Sequence, residues 1–133
     1  METASFSPKL AQQILEQAVK QEKAREAILK SSNLKLQWDK QGKHIPGKHN
    51  YISGRSVLEH SNPQQLIEKF AGSGRRVNHN LPGKPGYKEI VDFDEKIGIW
   101  NSKDGKISLP TTRGTIHYSK DGCHIVPAEP RSY

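Results

Sequence analysis

Cysteine is almost missing from this 133-residue chain, where Cys123 stands alone. A single thiol excludes an internal disulfide and the paired-cysteine spacings of structural zinc sites. No apolar run of about 18 residues is present to cross a bilayer. The opening METASFSPKL lacks the apolar segment of a secretory signal, so any export is expected to need another segment or machine. Hydrophobic residues make up only 32%, which predicts a small core without reaching the composition of a disordered chain. Negative charge is also in short supply, with 14 Asp and Glu against 21 Lys and Arg, for a formal charge of +7. That balance favours a polyanionic partner such as RNA, DNA, anionic lipid or an acidic inhibitor protein. Familiar catalytic signatures are absent too. There is no helical His-x₃-His pair, Glu-x-x-His pairing, serine elbow or Walker loop, and GSGRR lacks the strand and helix that frame a dinucleotide site. The expectation is a site with no metal and no cofactor.

What is present fits one domain of ordinary size. Leu10, Ile14, Leu15, Ala18 and Val19 recur at helical spacing behind Ser7 as N-cap and Pro8 at the first helical position. This predicts a long amphipathic helix over 7–30, exposed in its charged later part and dispensable for the chemistry. The short alternation Leu34, Leu36, Trp38 reads as a strand. Asn62-Pro63 opens a second helix carrying Leu66, Ile67 and Phe70 on one side, and Gly72 closes it. A surface loop, GSGRRVNHNLPGKPG, follows, with arginines able to face a ligand. Then YKEIVDF, KIGIW, KISLP, RGTIHYS and CHIVPA alternate between turn signals, predicting an antiparallel sheet. Helices first and strands afterwards indicate an α+β domain with a helix packed on a twisted sheet.

The last hairpin places candidate chemistry. Asp121-Gly122 suits a two-residue type I′ turn, which pairs Lys120 with Cys123, Ser119 with His124, Tyr118 with Ile125 and His117 with Val126. Period two then sets His117, Ser119 and His124 on one face, extended by Arg113 and Thr115, and Ile116, Tyr118, Cys123 and Ile125 on the apolar other. A slip of one residue would carry His124 to the packed face instead. One histidine on a half-exposed sheet usually serves solubility alone. A cluster is different, because cleavage of RNA through its 2′-hydroxyl needs a base, an acid and cations for the phosphorane, and histidine can perform either proton transfer near neutral pH. A second cluster, DKQGKHIPGKHNY, sets Lys40, Lys43, His44, Lys48 and His49 among glycines that let backbone approach a phosphate; alone it reads equally well as a solvated turn. His60 and His79 stand apart and read as surface residues.

The segments KQGKHIPGKHNY, GRSVLEHSNPQQLIEKFAGSG, GYKEIVDFDEKIG and LPTTRGTIHYSKDGCHIVPA, in this order, resemble the polymorphic toxin type fifty family. The resemblance runs from about residue 36 to residue 130. It implies the C-terminal domain of a larger bacterial or phage-borne toxin, with the α+β fold of the barnase, EndoU, colicin and RelE group. It also implies ribonuclease activity and a cognate immunity protein. At matching positions it implies that His44 and His117 belong to the active site, with Thr111, Thr112, Arg113, Ser119 and Lys120 around them. Two positions depart from the family pattern: Cys123 replaces a smaller residue and Glu129 replaces an arginine.

Taken together, residues 1–35 read as a helical linker or the end of a delivery region, and 36–133 as the toxin domain. His44, His117, Ser119, Thr112, Arg113 and His124 are expected to carry catalysis, with His44 and His117 sharing base and acid. Lys43, Lys48, Tyr51, Arg75, Arg76, Thr111 and Lys120 are expected to bind substrate. The partners are then RNA, tRNA among the candidates, and an acidic immunity protein, with the free domain a monomer. Export or delivery from a producer and action in the target-cell cytoplasm follow from the same reading. Two rivals use the same residues: a non-catalytic RNA-binding module stacking bases on exposed Tyr51, Tyr87 and Trp100, and a phage structural protein docking through its basic face.

Overall fold

Ser7 caps the first helix by accepting the Leu10 N–H at 3.1 Å, and Pro8 fills its opening turn, so α1 runs Pro8–Ser31 in a computed structural model that describes residues 7–131. Leu10, Ile14, Leu15 and Val19 are exposed, whereas Ile28 is completely buried in the core. Arg25 donates to the Ala71 carbonyl at 3.0 Å and Gln21 donates to the carbonyls of Gly72 and Gly74. The exposure expected of the charged later part of α1 therefore fails at Gln21, Arg25 and Ile28, which dock on the domain, and it is the first turns that stand exposed.

The segment expected as a strand from Leu34 to Trp38 makes only one parallel bridge, Leu36 to Cys123. The chain instead turns into α2 (Trp38–Gln41) and a 3₁₀ turn, Gly42–His44. The cause is Gln41, whose buried amide accepts the Ile125 N–H at 2.7 Å and donates to the Ile125 carbonyl at 2.8 Å. A side-chain amide thus occupies the sheet edge that a continuing strand would have taken.

Next come β1 (Val57–Leu58) and α3 (Pro63–Phe70). Asn62 caps α3 by accepting the Gln65 N–H at 3.2 Å, as its sequence predicts. Gly72, at φ 85°, follows it with Arg25 backbone 2.7 Å from where a Cβ would lie. The strands β2 (Arg75–Arg76), β3 (Lys88–Asp92), β4 (Gly98–Asn101), β5 (Ser108–Thr111), β6 (Arg113–Ser119) and β7 (Gly122–Pro127) complete the chain. They form two antiparallel sheets, ordered β2-β3-β6-β7 and β1-β4-β5. The fold is α+β, with helices packed on sheet. Buried Thr111 makes the crossing between sheets, accepting the Arg113 N–H at 3.0 Å and donating to the Ala128 carbonyl at 2.7 Å.

Alternation gives the four-stranded sheet two unlike faces. On one, Val91, Ile116, Tyr118, Cys123 and Ile125 pack with Leu66, Ile67, Phe93 and Ile97. Arg113, Thr115, His117 and Ser119 lie half-buried on the other. The packed face also holds Glu89, fully buried. Its carboxylate accepts the N–H groups of Gly72 at 2.8 Å and Gly74 at 2.6 Å and the hydroxyl of Tyr118. Among the described residues it has no cationic partner, so three donors stand where a counter-charge would otherwise be needed.

Candidate active site

The β6–β7 hairpin has a different register from the one its turn residues suggest. A type I′ turn needs positive φ at both Asp121 and Gly122, and here only Gly122 has it, at 136°. The loop is Lys120-Asp121, with Ser119 paired to Gly122. Two contacts set this choice. The Ser119 hydroxyl donates to Gln37 Oε1 at 2.7 Å, and the Lys35 carbonyl passes 2.1 Å from the point a Gly122 Cβ would occupy. The 33–37 segment thus crosses the hairpin where a side chain would block it.

The displacement moves each strand by one residue, which leaves every side chain on its expected face and changes its neighbour. His117 now lies directly opposite His124. Their rings stack with centroids 4.5 Å apart and planes at 28°. From β3, Lys88 pairs with His117 on the other side, so Lys88, His117 and His124 form one rung across three strands. The 3₁₀ turn brings His44 to the end of this file, its ring 6.5 Å from that of His124 and tilted by 18°. His44 is only 5% exposed, which overturns the solvated-turn alternative for its side chain. Its Nδ1 lies 2.9 Å from the Ser56 carbonyl. A carbonyl only accepts, so Nδ1 carries the hydrogen and Nε2 of the neutral ring is the basic nitrogen.

Electrostatics hold the three rings neutral. Burial, then the charges of Lys88, His44 and Lys40, push His117 down to about 4. Burial, then His117, His44, Lys40 and Lys43, push His124 down to about 3. His44 is lowered by burial and by Arg55 and Lys43, against the opposing effect of its Ser56 bond. Nδ1 of His124 is buried without a hydrogen-bond partner among the described residues. An unpartnered buried nitrogen is costly, and its cost is understandable where a ligand is to be met.

The other expected site residues are dispersed. Ser119 is engaged at the turn, and Thr111 at the crossing between sheets. Thr112 is exposed there, its carbonyl accepting the Phe93 N–H at 2.8 Å. Arg113 shares the histidine face but stands four residues from His117, roughly 13 Å at the strand rise, and donates to the Glu129 carbonyl at 3.0 Å. That bond uses backbone, so the departure at Glu129 does not disturb it. Lys43 is exposed beside His44, Tyr51 is half-buried, and Lys120 is exposed at the hairpin tip. Lys48 lies over the Trp38 ring at 5.1 Å. Arg75 and Arg76 are exposed on β2, away from the file of histidines. Tyr87 is only 2% exposed and raised to about 12 by burial and Glu89, which removes it from the stacking set of the RNA-binding rival. Trp100 is half-buried in the three-stranded sheet.

Lys88, Gln41 and Glu89 were not singled out by sequence. YKEIVDF did contain a signal: its alternation puts Lys88 on the open face and a carboxylate, Glu89, among apolar neighbours. Gln41 had none, since its contact is long-range. Among the described residues no group of three or more His, Cys, Asp or Glu side chains is placed to hold a metal ion, and no helix is long and apolar enough to cross a membrane.

Residues 36–127 match the family described as Bacterial toxin 50. The matched span takes in His44, Lys88, His117 and His124 and leaves α1 outside. No curated protein matches the chain.

Proposed function

The chain belongs to the Bacterial toxin 50 family and is a bacterial toxin domain, and on that premise we propose that it is a metal-independent endoribonuclease. The observation that carries this reading is the file His44, His124, His117, stacked at 6.5 and 4.5 Å and flanked by lysines. With their proton affinities depressed, the rings are neutral at pH 7, the state a base must have. Nε2 of His44, left basic by the Ser56 contact, takes the proton of a ribose 2′-hydroxyl. The 2′-oxygen attacks phosphorus, the bond to the 5′-oxygen breaks, and that oxygen takes a proton from His117. His117 takes this second proton from solvent as substrate binds, because a phosphate anion beside the ring offsets the burial and the lysine charges that disfavour the imidazolium. Lys88 and Lys43 stabilise the phosphorane, and His124 fills the space between the two reacting rings. Products end in a 2′,3′-cyclic phosphate.

Tight control is then required in the producing cell, and the +7 charge suits an acidic immunity protein that covers the histidine face. Delivery to a target cell and action on RNA in its cytoplasm complete the reading. The test is cleavage of total RNA and matched DNA in excess EDTA, with analysis of product ends. RNA cut to cyclic or 3′-phosphate ends while DNA stays whole is the expected result. Intact RNA, or cleavage that returns only with added divalent metal, refutes the mechanism.

A further inference from the structure

An open groove of about 920 Å³ lies beyond the histidine file, between α1 and the β2–β3 edge. Its rim carries Arg75, Arg76, Arg113 and Arg131, with Lys20 on the α1 wall. Asp92 and Asp94 also line it, and Asp92 is turned to local use, accepting the Asp94 N–H at 3.0 Å. No arginine of the rim makes an ion pair among the described residues. Phe70, Ile90 and Val91 give it an apolar lining, with Ile90 on the histidine face.

Arg75, Ile90 and Arg113 of the groove lie on the histidine face, while Arg76 and Val91 alternate to the packed one, so the groove wraps the β2–β3 edge. Arg75 pairs with Ile90, which pairs with Thr115, two residues from His117 on β6. Arg113 lies two residues further on. The cationic lining thus includes Arg75, one rung along and two strands across from His117, and Arg113, roughly 13 Å from His117 at the strand rise, a span longer than one nucleotide. A cationic rim with an apolar lining suits a nucleotide, phosphate on the guanidinium groups and base on the apolar side chains. An acidic protein surface would find the charge but leave the apolar lining unused.

We propose that this groove seats nucleotides flanking the scissile bond, so that the substrate is a single-stranded RNA segment laid across the open face from the histidines to β2. The proposal rests on the ribonuclease reading for the identity of the strand. It gives α1, outside the family match, a role as a wall of the substrate groove, and it moves Arg113 from the reacting phosphate to a flanking one.

The test uses fluorescently labelled, uncleavable 2′-O-methyl oligonucleotides of two lengths, a dimer and an octamer, with binding followed by anisotropy. For the intact chain the octamer is expected to bind about tenfold more tightly than the dimer. In Arg75→Gln/Arg76→Gln this ratio falls below about threefold, and the salt slope of octamer binding drops by about 1.4, or about 0.7 for each lost phosphate contact. Arg75→Lys/Arg76→Lys keeps the charge and retains most of the ratio, which separates lost contacts from a fold defect. A ratio that survives in the glutamine variant, or affinity indifferent to both length and arginines, overturns the proposal and leaves the groove to an acidic protein. Because these ligands cannot be cut, a length effect persisting alongside failed RNA cleavage would sink the nuclease reading alone.

Discussion

The two faces of the four-stranded sheet each remove titratable side chains from water, and they do it in opposite ways. On the packed face, Glu89 is completely buried and receives three hydrogen bonds. On the open face, His117 and His124 are partly shielded and surrounded by like charge, and Nδ1 of His124 has no hydrogen-bond partner among the described residues. A satisfied, inaccessible carboxylate holds a fold together: it ties the loop after α3 to β3. Unsatisfied, reachable imidazoles invite a ligand. Burial alone therefore does not mark an active site. What distinguishes the faces is whether the shielded group has spent its hydrogen-bonding capacity.

The largest expected effect of breaking this contrast falls on the open face. His44→Ala and His117→Ala should each lower RNA cleavage about 10²- to 10⁴-fold, while the urea midpoint of unfolding stays close to that of the unsubstituted chain. Loss of folding with loss of activity would mean that the rings are structural. On the packed face the converse holds. Glu89→Ala strands two backbone N–H groups and a tyrosine hydroxyl, and should lower the unfolding free energy by about 3 kcal/mol. An unchanged urea midpoint would erase the distinction between the faces.

Acid sharpens the comparison further. Above pH 6.5 the histidines are neutral folded and unfolded, and stability is full. As pH falls below 6.5 the unfolded chain takes up protons that folded His117 and His124 refuse until about 4 and about 3. Stability should drop through this window by up to about 1.4 kcal/mol per pH unit for each histidine. Urea unfolding at pH 7.5, 6 and 5 measures this slope, and His117→Gln/His124→Gln should flatten it. Equal slopes would show that the rings titrate normally. The smallest shift is expected in the His117 titration on Lys88→Gln, which removes the charge acting most strongly on that ring. Its titration, followed by NMR, should move up toward 6.5; an unmoved titration would detach Lys88 from the site.

Both main helices were legible because their signals are local: Ser7-Pro8 and Asn62-Pro63 cap and start them within a few residues. The face assignment of His117, Ser119 and His124 was legible for the same kind of reason, since alternation is a property of one strand. Register was not. Ser-Lys-Asp-Gly accepts two turn placements of similar local quality, and the choice fell to the Lys35 carbonyl and the Gln37 side chain, which arrive from far along the chain. The same remoteness hid the role of Gln41 and ended the expected strand at Leu36. Tyr87 looked available for stacking because an aromatic residue beside glycine and lysine gives no sign of the Tyr118 ring packed near it at 5.6 Å.

By itself, the sequence determined the α+β class, the basic surface, the helix boundaries and the set of side chains on each face of the last hairpin. These follow from period, capping and composition, which act over a few residues. Only the tertiary structure decided that His124 meets His117 rather than Ser119, that His44 joins them under cover, and that Arg113 stands away from them. Distances between elements, and the proton affinities that depend on shielding, are set by what crosses and covers a strand, and no short stretch of sequence contains that information.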